Sequence, residues 1–84
     1  MDKQKINVLI HLYGNYAQTK VETKLGISHE SDFSHGLVCG ACIAYETSLA
    51  MVLSHEEFTI CLTHIKETIA RRLNVSIETV EEIL

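Results

Sequence analysis

The stretch that decides the fold spans residues 36–48 and reads GLVCGACIAYETS. It carries a row of small side chains at four-residue spacing, namely Gly36, Gly40, Ala44 and Ser48. Residues four apart lie on one face of an α-helix, so this row predicts a flat groove that a second helix can approach closely. Each glycine inside a helix costs about 1 kcal/mol relative to alanine, and tight packing is the compensation we expect. We therefore predict an oligomer interface along this row.

The predicted helix around this stretch is apolar on nearly every side. It begins at Ser31 or Asp32 and ends near Leu53, and after Ser34 it is interrupted only by His35, Glu46, Thr47 and Ser48. A helix without a polar face has to be buried against other polypeptide segments. A domain of this size hides only about 60 % of its unfolded surface, yet 46 % of the 84 residues are hydrophobic. The sequence therefore predicts that another copy supplies the cover.

Glu46 is the one carboxylate within the apolar part of this helix, and two interpretations stay open for it. A buried Glu46 must be paired or protonated, and it would then fix the register of an oligomer. Alternatively, Glu46 lies on an exposed edge, which His35 shares because it has a similar position around the helix axis. We include Glu46 with the predicted interface residues.

The rest of the chain also has helical periodicity and contains no proline. A first helix is predicted from Lys3 to Leu25, with Gly26 as its C-terminal cap. A third begins with Ser54 and Glu57 in capping-box spacing, and a short fourth runs from Ile77 to Leu84 behind Ser76. The prediction is an all-α single domain over residues 1–84, a bundle of three main helices plus a short C-terminal one. A hairpin at Ser54 and a kinked continuous helix both remain open.

Charge and composition restrict the partners and the compartment. The net charge is −4 with histidine neutral, and such a chain repels nucleic acid overall. The first residues lack a signal peptide, and three cysteines in no disulfide spacing are typical of reduced thiols in the cytosol. Residues 37–53 are the one membrane candidate, and the central Glu46 costs about 2.5–3.5 kcal/mol on insertion. We expect a cytoplasmic protein outside the membrane.

Cysteine and histidine side chains have spacings that could serve a metal. His35, Cys39 and Cys42 share a helix face, and Cys61 and His64 are three residues apart. In an antiparallel hairpin about Ser54, His64 would lie level with Cys42, whereas Cys61 would be offset by about 7 Å. The interpretation that we prefer makes the cysteines small core residues, with no metal and no other cofactor. A zinc-stabilised helical module built on His35, Cys39, Cys42 and His64 is kept as an alternative.

The first helix offers a candidate ligand surface. Tyr13, Tyr16, Lys20 and Lys24 fall within an arc of about 80° around the helix axis. Aromatic rings beside ammonium groups can stack a base and neutralise a phosphate, so this set would suit a nucleotide or another anion between subunits. The alternative is an interfacial stripe, in which the tyrosines are half-buried and the lysine stems lie along apolar surface.

The C-terminal residues 68–80 read TIARRLNVSIETV and resemble a helix-turn-helix. The resemblance covers about a fifth of the chain, through an early alanine, the turn at Val75-Ser76 and the second helix with Thr79-Val80. It implies a DNA-binding transcriptional regulator, with the last helix as recognition helix and Arg71 and Arg72 on phosphates. That helix carries Glu78, Glu81 and Glu82 and no basic residue, whereas bases are read with Arg, Lys, Asn or Gln. We keep DNA binding as an alternative function.

No combination of residues predicts catalysis. The chain has neither a Gly-x-Ser-x-Gly elbow nor a glycine-rich phosphate loop. A Cys42–His64 pair is a conceivable nucleophile and base, but a helical chain of this length rarely supplies oxyanion donors and a substrate cleft. The expected function is therefore binding without catalysis: a homo-oligomer that sequesters or inhibits a protein partner or a small anionic ligand. Its size and character are typical of bacterial and phage accessory regulators.

Overall fold

The computed structural model describes residues 3–27 and 32–84, with side chains from residue 36 onward in the second helix. The described residues form four helices and no strand: α1 (Lys3–Lys24), α2 (Asp32–Val52), α3 (His55–Leu73) and α4 (Ile77–Ile83). The prediction of an all-α bundle with three main helices and a short last one is confirmed. Ser31, one of the two predicted caps of the second helix, lies outside the described residues. Asp32 is the first helical residue described.

Glycine ends α1 in the way that its position predicts. Gly26 has a φ of 75°, a left-handed conformation that costs other residues about 1–2 kcal/mol. The N–H of Ile27 donates to the carbonyl of Glu22 (2.9 Å), and the N–H of Gly26 donates to that of Thr23 (3.1 Å). These two bonds form a Schellman motif, which satisfies carbonyls that the helix end leaves open.

The joint between α2 and α3 is a true helix boundary at Ser54. Its backbone is extended, and its hydroxyl oxygen accepts a hydrogen bond from the N–H of Glu57 at 3.1 Å. The Glu57 carboxylate in turn accepts from the N–H of Ser54 at 3.1 Å. The predicted capping box is confirmed, and the alternative of a continuous kinked helix is excluded.

Within one copy, α1 is the central helix. It contacts each of the other three helices, whereas α2 packs mainly against α1 and has little contact with α3. The apolar α2 is therefore not the central helix of a single copy. The hairpin that the sequence left open at Ser54 is not a closely packed one, since α2 and α3 are consecutive but have little contact.

The core lies where residues of all four helices converge on α1. Leu49 of α2, Val21 of α1 and Val80 of α4 are fully enclosed. The other buried side chains are Tyr13, Ala17, Val38, Cys42, Ile65, Ile69 and Ala70. Burial of Val80 explains how a helix of seven residues is held, since its own backbone bonds are too few to stabilise it.

A tight corner connects α3 to α4. Asn74 adopts a left-handed conformation with a φ of 55°, and the N–H of Val75 donates to the carbonyl of Ala70 at 3.0 Å. Ser76 then caps α4 by accepting from the N–H of Thr79, as its sequence position predicts. In the part of the chain that the structure describes, no helix has the length and apolarity to cross a bilayer.

Candidate functional site

The outward face of α2 is uncharged along its whole described length. Its exposed side chains recur every three or four residues, the 3.5-residue average of a coiled-coil seam. They are Gly36, Leu37, Gly40, Ile43, Ala44, Thr47, Ala50 and Met51. We call these eight residues the α2 face. Its large members are strongly exposed, with 61 % of Leu37, 65 % of Ile43 and 80 % of Met51 accessible.

The glycines of the α2 face have open space beside them among the described residues. A Cβ added at Gly36 or at Gly40 would meet no described atom within 4 Å. Close packing within the described part of one copy therefore does not account for these two residues of poor helix propensity. Three of the predicted interface residues, Gly36, Gly40 and Ala44, lie on this face. Ser48 is half-buried at its edge, where its hydroxyl donates to the carbonyl of Ala44 at 2.9 Å.

Glu46 lies off the α2 face and is half-buried. Its carboxylate is near enough to the phenol of Tyr13 and the thiol of Cys42 to raise the pKa of both, although burial is the larger cause in each case. Its predicted edge partner His35 has a side chain outside the described residues. Glu46 therefore belongs to the region between α1 and α2, where its charge favours the neutral phenol and thiol.

The candidate ligand set on α1 is divided by the fold. Tyr13 is only 3 % exposed and belongs to the core. Tyr16 is half-buried, and its ring stacks on Tyr45 of α2, with centroids 5.7 Å apart and planes inclined by 18°. Lys20 is half-buried near Cys42, and Lys24 is exposed. The two tyrosine rings thus pack inside the copy rather than presenting a shared surface with both lysines.

The cysteines and histidines do not gather at one point. Cys42 is buried, whereas Cys39 and Cys61 are half-buried. Over residues 3–27 and 36–84, whose side chains are described, no group of three or more His, Cys, Asp or Glu side chains is placed to hold a metal ion. Burial raises the pKa of the thiols of Cys42 and Cys61. Both are therefore neutral and weakly nucleophilic at neutral pH.

The corner that resembles a helix-turn-helix presents mostly acidic surface. Arg71 and Arg72 are exposed at the end of α3, and Glu78, Glu81 and Glu82 are exposed on α4. Nη1 of Arg72 donates to Oε1 of Gln18 on α1 at 3.2 Å, which directs this guanidinium toward α1.

A cleft between α1 and α3 is a feature that the sequence analysis did not identify. At its wide end a cavity of about 560 Å³ is lined by the apolar side chains of Ile6, Ile10, Leu53, Ile60 and Cys61, and by the polar Lys3, Asn7, Glu57 and His64. It continues into a narrower cavity of about 140 Å³, whose polar sides are His11, Asn15 and Gln18 on α1 and His64, Thr68 and Arg72 on α3. Ile10 and His64 line both cavities. His64, Thr68 and Arg72 are spaced four residues apart, which predicts that they share one edge of α3. Periodicity does not say which helix lies opposite that edge.

Comparison of the chain with protein-family models, with curated proteins and with solved structures finds no match. Its function is therefore inferred from the α2 face and the α1–α3 cleft.

Proposed function

We propose that this protein is a non-enzymatic binding protein that works as a homo-oligomer and sequesters or inhibits its partner. The observation that carries the proposal is the α2 face, an uncharged strip about 24 Å long that one copy leaves open to water. Exposed apolar surface costs about 25 cal/mol per Å² relative to burial, so covering this strip stabilises an assembly. Contiguous apolar surface of this kind is typical of an interaction site.

The distribution of large and small residues along the α2 face favours a second copy as the cover. When two copies are aligned antiparallel about a point between Ile43 and Ala44, each larger side chain meets a smaller one. The pairs are Gly36 with Met51, Leu37 with Ala50, Gly40 with Thr47, and Ile43 with Ala44. This self-complementarity is what a two-fold interface requires, because the same patch serves both subunits.

The parallel alternative fits the same residues badly. In a parallel pair in register, each residue faces its own copy, so Gly36 would face Gly36 and Met51 would face Met51. Such a pair lets the backbones approach closely at the glycine end but holds them apart at the methionine end, so two straight helices cannot pack well along the whole face. Antiparallel α2 helices also place opposite ends of their dipoles together. We therefore propose a two-fold dimer with antiparallel α2 helices.

Sedimentation equilibrium of the wild type and of Gly40→Leu tests the proposed assembly. The wild type is expected to sediment as a dimer or a larger species at micromolar to millimolar concentration. Gly40→Leu removes the small residue opposite Thr47 and is expected to be monomeric. Because a Cβ at Gly40 meets no described atom, the single copy accepts the new side chain, and circular dichroism should show an unchanged helix content.

Gly14→Leu is the matched control for this experiment. Gly14 is also helical and also has open space around an added Cβ, but it lies on α1, where it lines the narrow end of the α1–α3 cleft and is not part of the α2 face. The control variant should sediment like the wild type. A wild-type monomer at millimolar concentration, or a Gly40→Leu variant that assembles as well as the wild type, would remove α2 from the interface.

A further inference from the structure

The α1–α3 cleft changes character along its length. Its wide end is floored by aliphatic side chains, among them Ile60, which is 63 % exposed although it is as apolar as any core residue. Its narrow end is lined by histidine, amide, hydroxyl and guanidinium groups above the apolar Ile65 and Ile69. A ligand that fills the whole cleft therefore needs an apolar body at one end and a polar head at the other.

The charge of the cleft contrasts with the charge of the chain. The whole chain has a net charge of −4 with histidine neutral, yet on the same count the cleft is lined by two cations, Lys3 and Arg72, and one anion, Glu57, with His11 and His64 beside them. The carboxylate of Glu57 accepts a hydrogen bond from the N–H of Ser54, which lowers its pKa and holds it in the capping box. The lining therefore favours an anionic head over a cationic one.

The narrow end has donors held ready for that head. Arg72 uses Nη1 to donate to Gln18 at 3.2 Å, and a guanidinium has five N–H donors in all. This bond ties the exposed Arg72 to α1 across the cleft and positions its guanidinium at the narrow end. One turn earlier on α3, the Thr68 hydroxyl already donates its single proton to the backbone carbonyl of His64 at 2.8 Å, so the guanidinium of Arg72 is the principal donor for an anionic head.

We propose that the α1–α3 cleft binds a small amphipathic anion, an unbranched aliphatic carboxylate. Its chain lies on Ile10 and Ile60 in the wide end, and its carboxylate lies between His64 and Arg72 in the narrow end. This assignment gives a ligand class to the proposed binding function. It does not depend on the α2 face, because none of the cleft residues belongs to it.

Titration calorimetry with decanoate, below the concentration at which it forms micelles, tests the assignment. Decanoate is expected to bind saturably with one site per chain. Butyrate should bind at least tenfold more weakly, because it lacks six methylene groups that the wide end would cover. Decyltrimethylammonium has the same chain with a cationic head, and it should also bind at least tenfold more weakly than decanoate.

Two variants locate the site, and each has an expected loss. Arg72→Gln should lower decanoate affinity about tenfold, whereas Arg71→Gln removes a neighbouring exposed arginine outside the cleft and should leave the affinity unchanged. Ile60→Gln should lower the affinity by a similar factor, and because Ile60 is already largely exposed, the variant should keep its fold. Circular dichroism of each variant verifies that the helices are intact.

The cleft assignment would be overturned by equal binding of decanoate and decyltrimethylammonium, by an Arg72→Gln variant with wild-type affinity, or by the absence of saturable decanoate binding. Sedimentation of the same samples separates this inference from the proposed assembly. A wild-type dimer that does not bind decanoate rejects the ligand alone, and a decanoate-binding monomer rejects the α2 assembly alone. An Ile60→Gln variant that dissociates into monomers would place a second copy in the cleft and would also reject the ligand.

Discussion

The ring of Tyr16 on α1 stacks on the ring of Tyr45 on α2, with a centroid distance of 5.7 Å and an interplanar angle of 18°. This contact joins the two helices that pack most extensively against each other. The ring of Tyr16 is predicted from the sequence to stack on a ligand, and in the fold it stacks on Tyr45. Aromatic pairs of this geometry contribute about 0.5–1.5 kcal/mol beyond the area that they bury.

Replacement of both tyrosines measures this coupling. We expect Tyr16→Ala and Tyr45→Ala each to destabilise the fold, and the double variant to lose about 1 kcal/mol less than the sum of the two. Urea unfolding of the four proteins in the cycle gives the coupling directly. Strict additivity of the two losses would show that the stacked rings do not interact in solution. All four proteins need equal concentrations, since assembly adds to the measured stability.

Cysteine cross-linking tests the antiparallel alignment of the α2 faces. In a background of Cys39→Ser, Cys42→Ala and Cys61→Ala, we expect Ile43→Cys to form an intersubunit disulfide under mild oxidation. In the proposed antiparallel dimer, position 43 lies beside the two-fold axis, so its two copies would come within the span of a disulfide. The measurement is a non-reducing gel together with the mass of the oxidised dimer.

Leu37→Cys in the same background is the control for that alignment. In the antiparallel pair the two copies of position 37 lie about 20 Å apart along the helices, too far for a disulfide. A Leu37→Cys cross-link as efficient as that of Ile43→Cys would indicate parallel helices. If neither variant forms a cross-link while the background protein still sediments as a dimer, another surface joins the copies.

Stability is expected to fall in alkaline solution because three acidic groups are held neutral in the fold. Burial raises the pKa of Tyr13, whose ordinary value is 10.0, with Glu46 as the next cause. Burial also raises the pKa of Cys42 and Cys61 from their ordinary 9.0. A group whose folded pKa lies above its unfolded value contributes stability below the unfolded value, and that contribution is lost as pH rises.

Urea midpoints should therefore decrease as pH is raised above about 9, the range where the thiols of the unfolded chain begin to ionise. Tyr13→Phe removes the phenol, and it is expected to flatten the part of the decrease above pH 10. A midpoint that is the same at pH 7 and pH 10.5, or a decrease that is equally steep in Tyr13→Phe, would contradict this account.

Local features of the fold were predictable from the sequence because the interactions behind them span only a few residues. The capping box at Ser54, the cap at Ser76 and the left-handed Gly26 each depend on bonds between residues at most five positions apart. The helical periods likewise follow from neighbouring side chains. The row of small residues at positions 36, 40, 44 and 48 and the apolar character of α2 could therefore be predicted from the sequence.

The pairing of helix faces was decided only by the tertiary structure. Periodicity predicts that Tyr13 and Tyr16 lie on one side of α1, but α2 turns that side into core and stacks Tyr45 on Tyr16. The cleft, too, arises only where α3 lies beside α1 and brings Arg72 to Gln18, residues 54 positions apart in the chain. The physical reason is that a helix specifies its own faces through local bonds, whereas the neighbour that covers each face is selected by packing of the whole chain.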